Sequence, residues 1–227
     1  MHRLPEPPRY LPELIFGGLS IVAFVALLYL SSNRVFAVDE WAVIRNGTDW
    51  SLEGLMKPYI EHWALGLRVM WKALLSVFGM TTYLPYLVVN VVFHIAIAVG
   101  IFVLARRQVP GLIALAIGTL FLFLGSGALD LLFGFQMGWN GAAAAGTWAL
   151  VVLLRDPRPQ RTWLAAFLLL TAVATWSSIG LLFVAAAGAV LVLAPDRRRH
   201  LWVVLPALAA YGLWFLRYGQ DSVGVPP

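Results

Sequence analysis

Residues 162 to 194 run without a single charged side chain. As one helix at about 1.5 Å per residue the stretch would be roughly 50 Å long, well beyond a bilayer core of about 30 Å. It is nevertheless too short for two full crossings. The flanking loops decide between the two. Arg155, Arg158 and Arg161 precede it and Arg197, Arg198 and Arg199 follow it, and arginine-rich loops stay on the cytoplasmic face. Two loops on one face require an even number of crossings between them. The run is therefore expected to fold back as a short hairpin, with its turn at Trp176-Ser177-Ser178.

The same reasoning extends along the chain. A soluble domain needs about 25% charged residues to cover its surface; this chain has 12%, with 61% hydrophobic residues and a mean hydropathy of +0.82. The expected fold is all-α, a polytopic membrane helical bundle forming a single transmembrane domain over residues 1–227. Apolar runs place about seven transmembrane helices at roughly 12–31, 84–105, 110–128, 132–154, 162–176, 178–194 and 200–217. Arg3, Arg9, Arg106, Arg107 and the six arginines of the two later clusters then lie on one face. Arg34, Arg45, Lys57, Arg68, Lys72 and Arg217 lie on the other, so the N-terminus is cytoplasmic and the protein is expected in the plasma membrane. Val35-Phe36-Ala37 has the small residues of a cleavage site, but the apolar run before it exceeds the h-region of a signal peptide and reads as a retained anchor. No basic stripe with interleaved aromatics is present, which excludes nucleic acid as a partner. There is no cysteine, so disulfides are excluded.

One loop is out of proportion. The first extracytoplasmic segment, residues 32–83, holds Trp41, Trp50, Tyr59, Trp63 and Trp71 and is not disorder-like. Within it, EHWALGLRVMWKALLSVFG places Trp63, Leu67, Met70, Trp71, Leu74 and Phe78 on one face and Arg68, Lys72 and Ser76 on another. That is the pattern of a helix lying in the membrane interface, aromatic side down. Gly79 should stop it, and Pro85 should open the next span. Ser51 and Glu53 read as a helix N-terminus. Asn46-Gly47-Thr48 matches a glycosylation sequon, a pattern frequent by chance.

Asp39 and Glu40 stand just after the first span, at headgroup depth beneath this loop. Two readings stay open: a solvated exit from the membrane, or a carboxylate that removes a proton from a hydroxyl at the surface. Asp130 and Gln136, in GSGALDLLFGFQMGWNG, either face the same cavity or are a loop carboxylate and a helix-start amide. Asn90 and His94 share a face of the second span with Tyr86, as expected for interhelical hydrogen bonds. The small residues of GWNGAAAAG allow close helix packing.

These features, with the stretches HWALGLRVMWKALLSVFGMTTYLPYLVVNVVFH and FLFLGSGALDLLFGFQMGWNG, resemble the GT-C superfamily of membrane glycosyltransferases, and more narrowly actinobacterial multi-pass GT-C-like proteins, over roughly residues 35–220. The resemblance implies a transferase that takes a sugar from a polyprenyl-phosphate donor at the outer leaflet and passes it, with inversion, to an acceptor hydroxyl. Asp39 matches the family's first-loop acid, the base on the acceptor, with Glu40 as second choice. For the donor phosphate the resemblance points to Arg217, with Arg34 and Lys57 behind it, and His62 would touch acceptor or phosphate. A divalent metal on Asp39, His62 or Asp130 is compatible with the family, but no tight ligand spacing assigns one and no other cofactor is implied. Phe133 stands where relatives often carry Trp, and Leu129-Asp130 where they carry an amide or acid pair.

GT-C enzymes usually continue beyond the seventh span. The end at DSVGVPP is thus expected of a piece of a longer protein, or of a seven-span core without catalysis. The competing expectation is a non-catalytic subunit that holds membrane lipid or a membrane protein partner on the same scaffold. A transporter is disfavoured, since no inverted repeat is visible and Pro206 gives only a single kink.

Overall fold

The computed structural model describes residues 10–45, 49–123, 127, 131–155 and 158–220. These residues are predominantly helical, with no strand among them. In chain order the helices are α1 (Leu11–Leu30), α2 (Asp39–Arg45), α3 (Leu52–Met56), α4 (Leu65–Phe78), α5 (Leu84–Arg106), α6 (Gly111–Leu122), α7 (Met137–Leu153), α8 (Pro159–Thr175), α9 (Ser177–Leu193) and α10 (Leu205–Trp214). A 3-10 turn at Gly134–Gln136 leads into α7. A 3-10 run, Pro195–Val204, leads into α10, and a π turn, Phe215–Gly219, follows it.

Three of these segments are long and apolar enough to cross a membrane: Leu11–Leu30, Leu84–Arg106 and the continuous helical run Pro195–Gly219. Gly111–Leu122 and Ser177–Leu193 are apolar but shorter. The breaks fall where backbone chemistry demands them. Proline occupies the first turn of α1, α5, α8 and α10, where its missing N–H costs nothing. Gly79, at φ 59°, ends α4. Trp176 adopts extended angles between α8 and α9, so the uncharged run of residues 162–194 is two helices. Pro206 lies where the 3-10 run becomes α-helix.

Some helices pack closely because one side of the contact is a glycine. A side chain at Gly180 would meet the Val173 backbone nitrogen at 2.3 Å, and one at Gly146 the Phe183 ring at 2.1 Å. Polar groups inside the bundle are spent on this packing. Asn90 Nδ2 donates to the Leu131 and Phe133 carbonyls at 3.2 and 3.1 Å and Asn90 Oδ1 accepts from Asn140 Nδ2 at 2.8 Å. His94 Nε2 lies 3.1 Å from the Leu122 carbonyl.

The two ends of the bundle differ in chemistry. At one, Arg106 pairs with Glu13 at 2.8 Å, and Arg107 and Arg197 donate to the Val151 and Leu153 carbonyls at 3.0 and 2.7 Å. Cations here cap the C-terminus of α7, where the helix dipole favours them. At the other end the loop of residues 31–83 closes over the bundle. Ser177 ties α9 to it twice, its Oγ accepting from Trp63 N and its N donating to Trp63 O, each at 3.1 Å. Trp214 Nε1 donates to Met56 O at 2.7 Å.

The loop helix departs from its sequence reading in two respects. It begins at Leu65 rather than at Glu61, because residues 59–62 form a tight two-bond turn, Tyr59 N to His62 O and His62 N to Tyr59 O, each 2.9 Å. Its cationic face does not meet water. Arg68 and Lys72 are 7% and 3% exposed, covered by the 49–59 segment, to whose Pro58 and Asp49 carbonyls they donate. The exposed side instead carries Val69, Ala73, Ser76 and Val77.

Candidate functional site

Phe36 fixes the chain as it leaves α1. Its ring packs edge-on against Tyr83 and Tyr86, with centroids 5.0 and 5.1 Å away, and against Trp71 at 6.1 Å. Val38 then takes a left-handed conformation, φ 42°, which a β-branched residue adopts only under constraint. α2 starts immediately after, and its first two residues diverge, since successive side chains of a helix point about 100° apart. Asp39 is exposed and Glu40 is buried, at 0% exposure.

Glu40 is fully engaged. Its carboxylate accepts from Ala37 N at 2.9 Å, from Phe135 N at 3.0 Å and from the Tyr83 hydroxyl. Tyr83 in turn accepts from Gly134 N at 2.7 Å. A side chain at Gly134 would lie 3.0 Å from Tyr83 Oη and 3.2 Å from Glu40 Oε1, so glycine is what lets this network close. Burial pushes the Glu40 carboxyl up, against the three hydrogen bonds that pull it down. The reading of Glu40 as a second candidate base is thereby corrected: it is a strut that fastens α2 to the segment before α7.

Asp39 faces the other way, toward the Tyr59 hydroxyl, whose pKa burial and the Asp39 charge both push up. Tyr59 is presented by the 59–62 turn, in which Ile60 is the second β-branched residue held left-handed, at φ 56°. Such strain costs about 1–3 kcal/mol per residue and gathers at working sites. Here it brackets one electrostatic pair, Val38 preceding Asp39 and Ile60 following Tyr59. Beneath Tyr59 the Phe135 and Trp176 rings lie 5.3 and 5.9 Å away, and Trp139 packs on Trp176 at 5.8 Å. Together they form an aromatic floor beside the exposed carboxylate.

His62 belongs to this floor, its half-buried ring 5.1 Å from Trp176, and burial pushes its pKa down. Gln136 stands at the start of α7 with Oε1 buried and without a hydrogen-bond partner. Trp63 Nε1, Arg68 Nε, Trp71 Nε1 and Trp176 Nε1 are likewise buried without a partner among the described residues. The sequence alone does not mark Arg68 as a site residue; its guanidinium reaches Pro58 O at 3.2 Å and interacts electrostatically with Tyr59. No carboxylate of the described residues pairs with it.

The remaining cations fall into two places. Arg34 is exposed and within electrostatic reach of Tyr83. Lys57 is exposed at the end of α3, next to the Met56 carbonyl that receives Trp214, while Arg217 is exposed three residues beyond Trp214 and covers the Tyr218 ring. Lys57 and Arg217 are therefore gathered at one corner, and Trp63, stacked on Trp214 at 5.8 Å, connects that corner to His62. Asp39 and Arg217 form no ion pair. Asp130 and the Asn46-Gly47-Thr48 sequon lie outside the described residues. Among the described residues no three His, Asp or Glu side chains converge on a metal site.

No family model matches the chain, and comparison with curated proteins and with solved structures found no match.

Proposed function

We propose that the chain is a GT-C-like membrane glycosyltransferase, or the acceptor-side module of one, built as a seven-span bundle with the arginine-rich end in the cytoplasm and the 31–83 loop outside. The observation that carries this reading is the strained, aromatic-floored setting of the exposed Asp39 carboxylate, which follows left-handed Val38 and lies beside Tyr59. A sugar bound at this carboxylate would lay its apolar face on the exposed Trp139 ring and the half-buried Tyr59 ring, which the buried Trp176 supports from beneath.

In this reaction Asp39 takes the proton of the acceptor hydroxyl as that oxygen attacks the anomeric carbon of a polyprenyl-phosphate sugar. The new C–O bond forms with inversion, the bond to the phosphate oxygen breaks, and the electron pair leaves with the polyprenyl phosphate. Tyr59 orients Asp39. Arg68, behind Tyr59, favours negative charge developing at the site, and Lys57 and Arg217 at the neighbouring corner, with Arg34, attract the lipid phosphate.

A second reading has its own support. An apolar groove of about 530 Å³ between α1 and α6, lined by Leu19, Leu112, Leu115, Leu120 and Phe123, is suited to holding an isoprenoid chain without chemistry, as a non-catalytic lipid-binding or assembly subunit would.

Transfer from radiolabelled polyprenyl-phosphate sugars by the full chain in nanodiscs separates the two. Asp39→Asn should lose about 10²–10⁴-fold in rate, the usual worth of a general base, while retaining bound lipid. Full activity in Asp39→Asn would refute its role, and lipid retention with no transfer by the unmodified protein would establish the second reading.

A further inference from the structure

The arginine-rich end carries a site of its own. A small pocket there is lined by Arg161 and Thr162 at the start of α8 and by Arg197 and His200 of the 3-10 run, over an apolar floor of Leu153 and Leu191. It has room for about one water molecule, so a larger ligand sits at its mouth. Positive charge is crowded around it. Arg155 and Arg161 both lie close enough to Arg107 to repel it. Exposed Asp196 lies 3.9 Å from Arg197 Nε.

Two further features fix the depth and direction of a ligand. Trp163 and Trp202, each beside a pocket residue in the chain or one turn from it, pack with centroids 4.5 Å apart. Aromatic pairs of this kind mark the headgroup level of a membrane. From that pair an apolar strip on α8, Trp163, Leu164 and Phe167, runs away from the pocket at 64%, 46% and 63% exposure. Cations at one end, aromatics at headgroup level and an uncovered apolar strip beyond them match the outline of one phospholipid.

We propose that this corner binds an anionic phospholipid from the leaflet at the arginine-rich end. Arg161 and Arg197 take the phosphate oxygens, and an acyl chain lies along Trp163, Leu164 and Phe167. The proposal is independent of transferase chemistry at the opposite end.

Native mass spectrometry of the full chain in detergent, with phosphatidylglycerol and phosphatidylcholine of identical chains, tests it. Phosphatidylglycerol should be retained preferentially, and Arg161→Gln should weaken it about fivefold, the worth of one basic residue at a membrane surface. Arg45→Gln, which removes one exposed charge from the opposite end, should change nothing. Trp163→Ala provides a second variant that keeps every arginine and should also weaken retention. Equal binding of the two lipids, or equal losses in Arg161→Gln and Arg45→Gln, would overturn the proposal. Thermal protection by inorganic phosphate equal to that by phosphatidylglycerol would assign the pocket to a free anion instead.

Discussion

Replacing Glu40 by alanine leaves three donors without their acceptor: the backbone N–H groups of Ala37 and Phe135 and the Tyr83 hydroxyl. An orphaned buried donor costs about 1–3 kcal/mol, so the three together are worth about 3–9 kcal/mol. The substitution also releases the carboxylate from a burial unfavourable enough to raise its pKa, which brings the net loss to the low end, about 3 kcal/mol. In a chain of this size each kcal/mol moves the melting temperature by about 2–4 °C, so the midpoint should fall by about 6–12 °C. Tryptophan fluorescence during thermal unfolding in nanodiscs reads this directly, because Trp41 and Trp71 pack against Phe36, beside the clamp. Asp39→Ala is the internal comparison. Its carboxylate is exposed, and its midpoint should move by no more than about 2 °C. A Glu40→Ala midpoint equal to that of Asp39→Ala would refute the division of the pair into strut and exposed carboxylate.

Burial holds the Glu40 carboxyl above its ordinary 4.5, so as pH falls the folded state takes up this proton before the unfolded chain does. The stability it contributes is complete below pH 4.5 and is lost as pH rises through the raised value. The melting temperature of the unmodified protein should therefore climb relative to Glu40→Gln between about pH 7 and that limit, and a constant difference would contradict the assignment. Val38→Gly should relieve the left-handed strain, leaving the melting temperature unchanged or higher by about 1 kcal/mol equivalent, while the transfer activity proposed for the chain falls as Asp39 loosens. Activity unchanged beside such stabilisation would sever the strain from the site. Gly180→Ala brings a methyl group onto the Val173 backbone, which cannot rotate aside; a loss of about 1–3 kcal/mol is expected by chemical unfolding, and wild-type stability would show that α8 and α9 separate freely.

Much of the fold is legible because helix breaks are local chemistry. Gly79, Pro85 and the change at Trp176 act through their own φ and ψ, and each lies where the sequence places it. The site is less legible. Asp39 and Glu40 are adjacent and alike, and the helix period says that only one of them turns inward. Which one depends on the backbone at Gly134 and Phe135, 95 residues away from Glu40. The spacing of Arg68 and Lys72 does place them on one face of α4, as read from the sequence. That this face is roofed by residues 49–59 rather than wetted is a matter of tertiary structure that no periodicity contains. Tyr59 is signalled only by the turn that must separate Pro58 from the helix, since an aromatic ring in such a loop can equally well pack on the bundle or rest in the membrane interface.

The contacts that close the 31–83 loop join parts of the chain far apart in the order of synthesis. Glu40 waits for Phe135, Trp63 for Ser177 and Met56 for Trp214, separations of 95, 114 and 158 residues. At translation rates of about 5–20 residues per second, the last partner emerges about 8–30 s after the first. During that interval the helices the loop will clasp are still being made: Arg68 and Lys72 already have the Pro58 and Asp49 carbonyls within the loop, while Glu40, Trp63 and Met56 lack the partners that fasten it to the bundle. The roof is thus made early and secured last, and its attachment to the bundle is paced by the ribosome rather than by the loop's own folding.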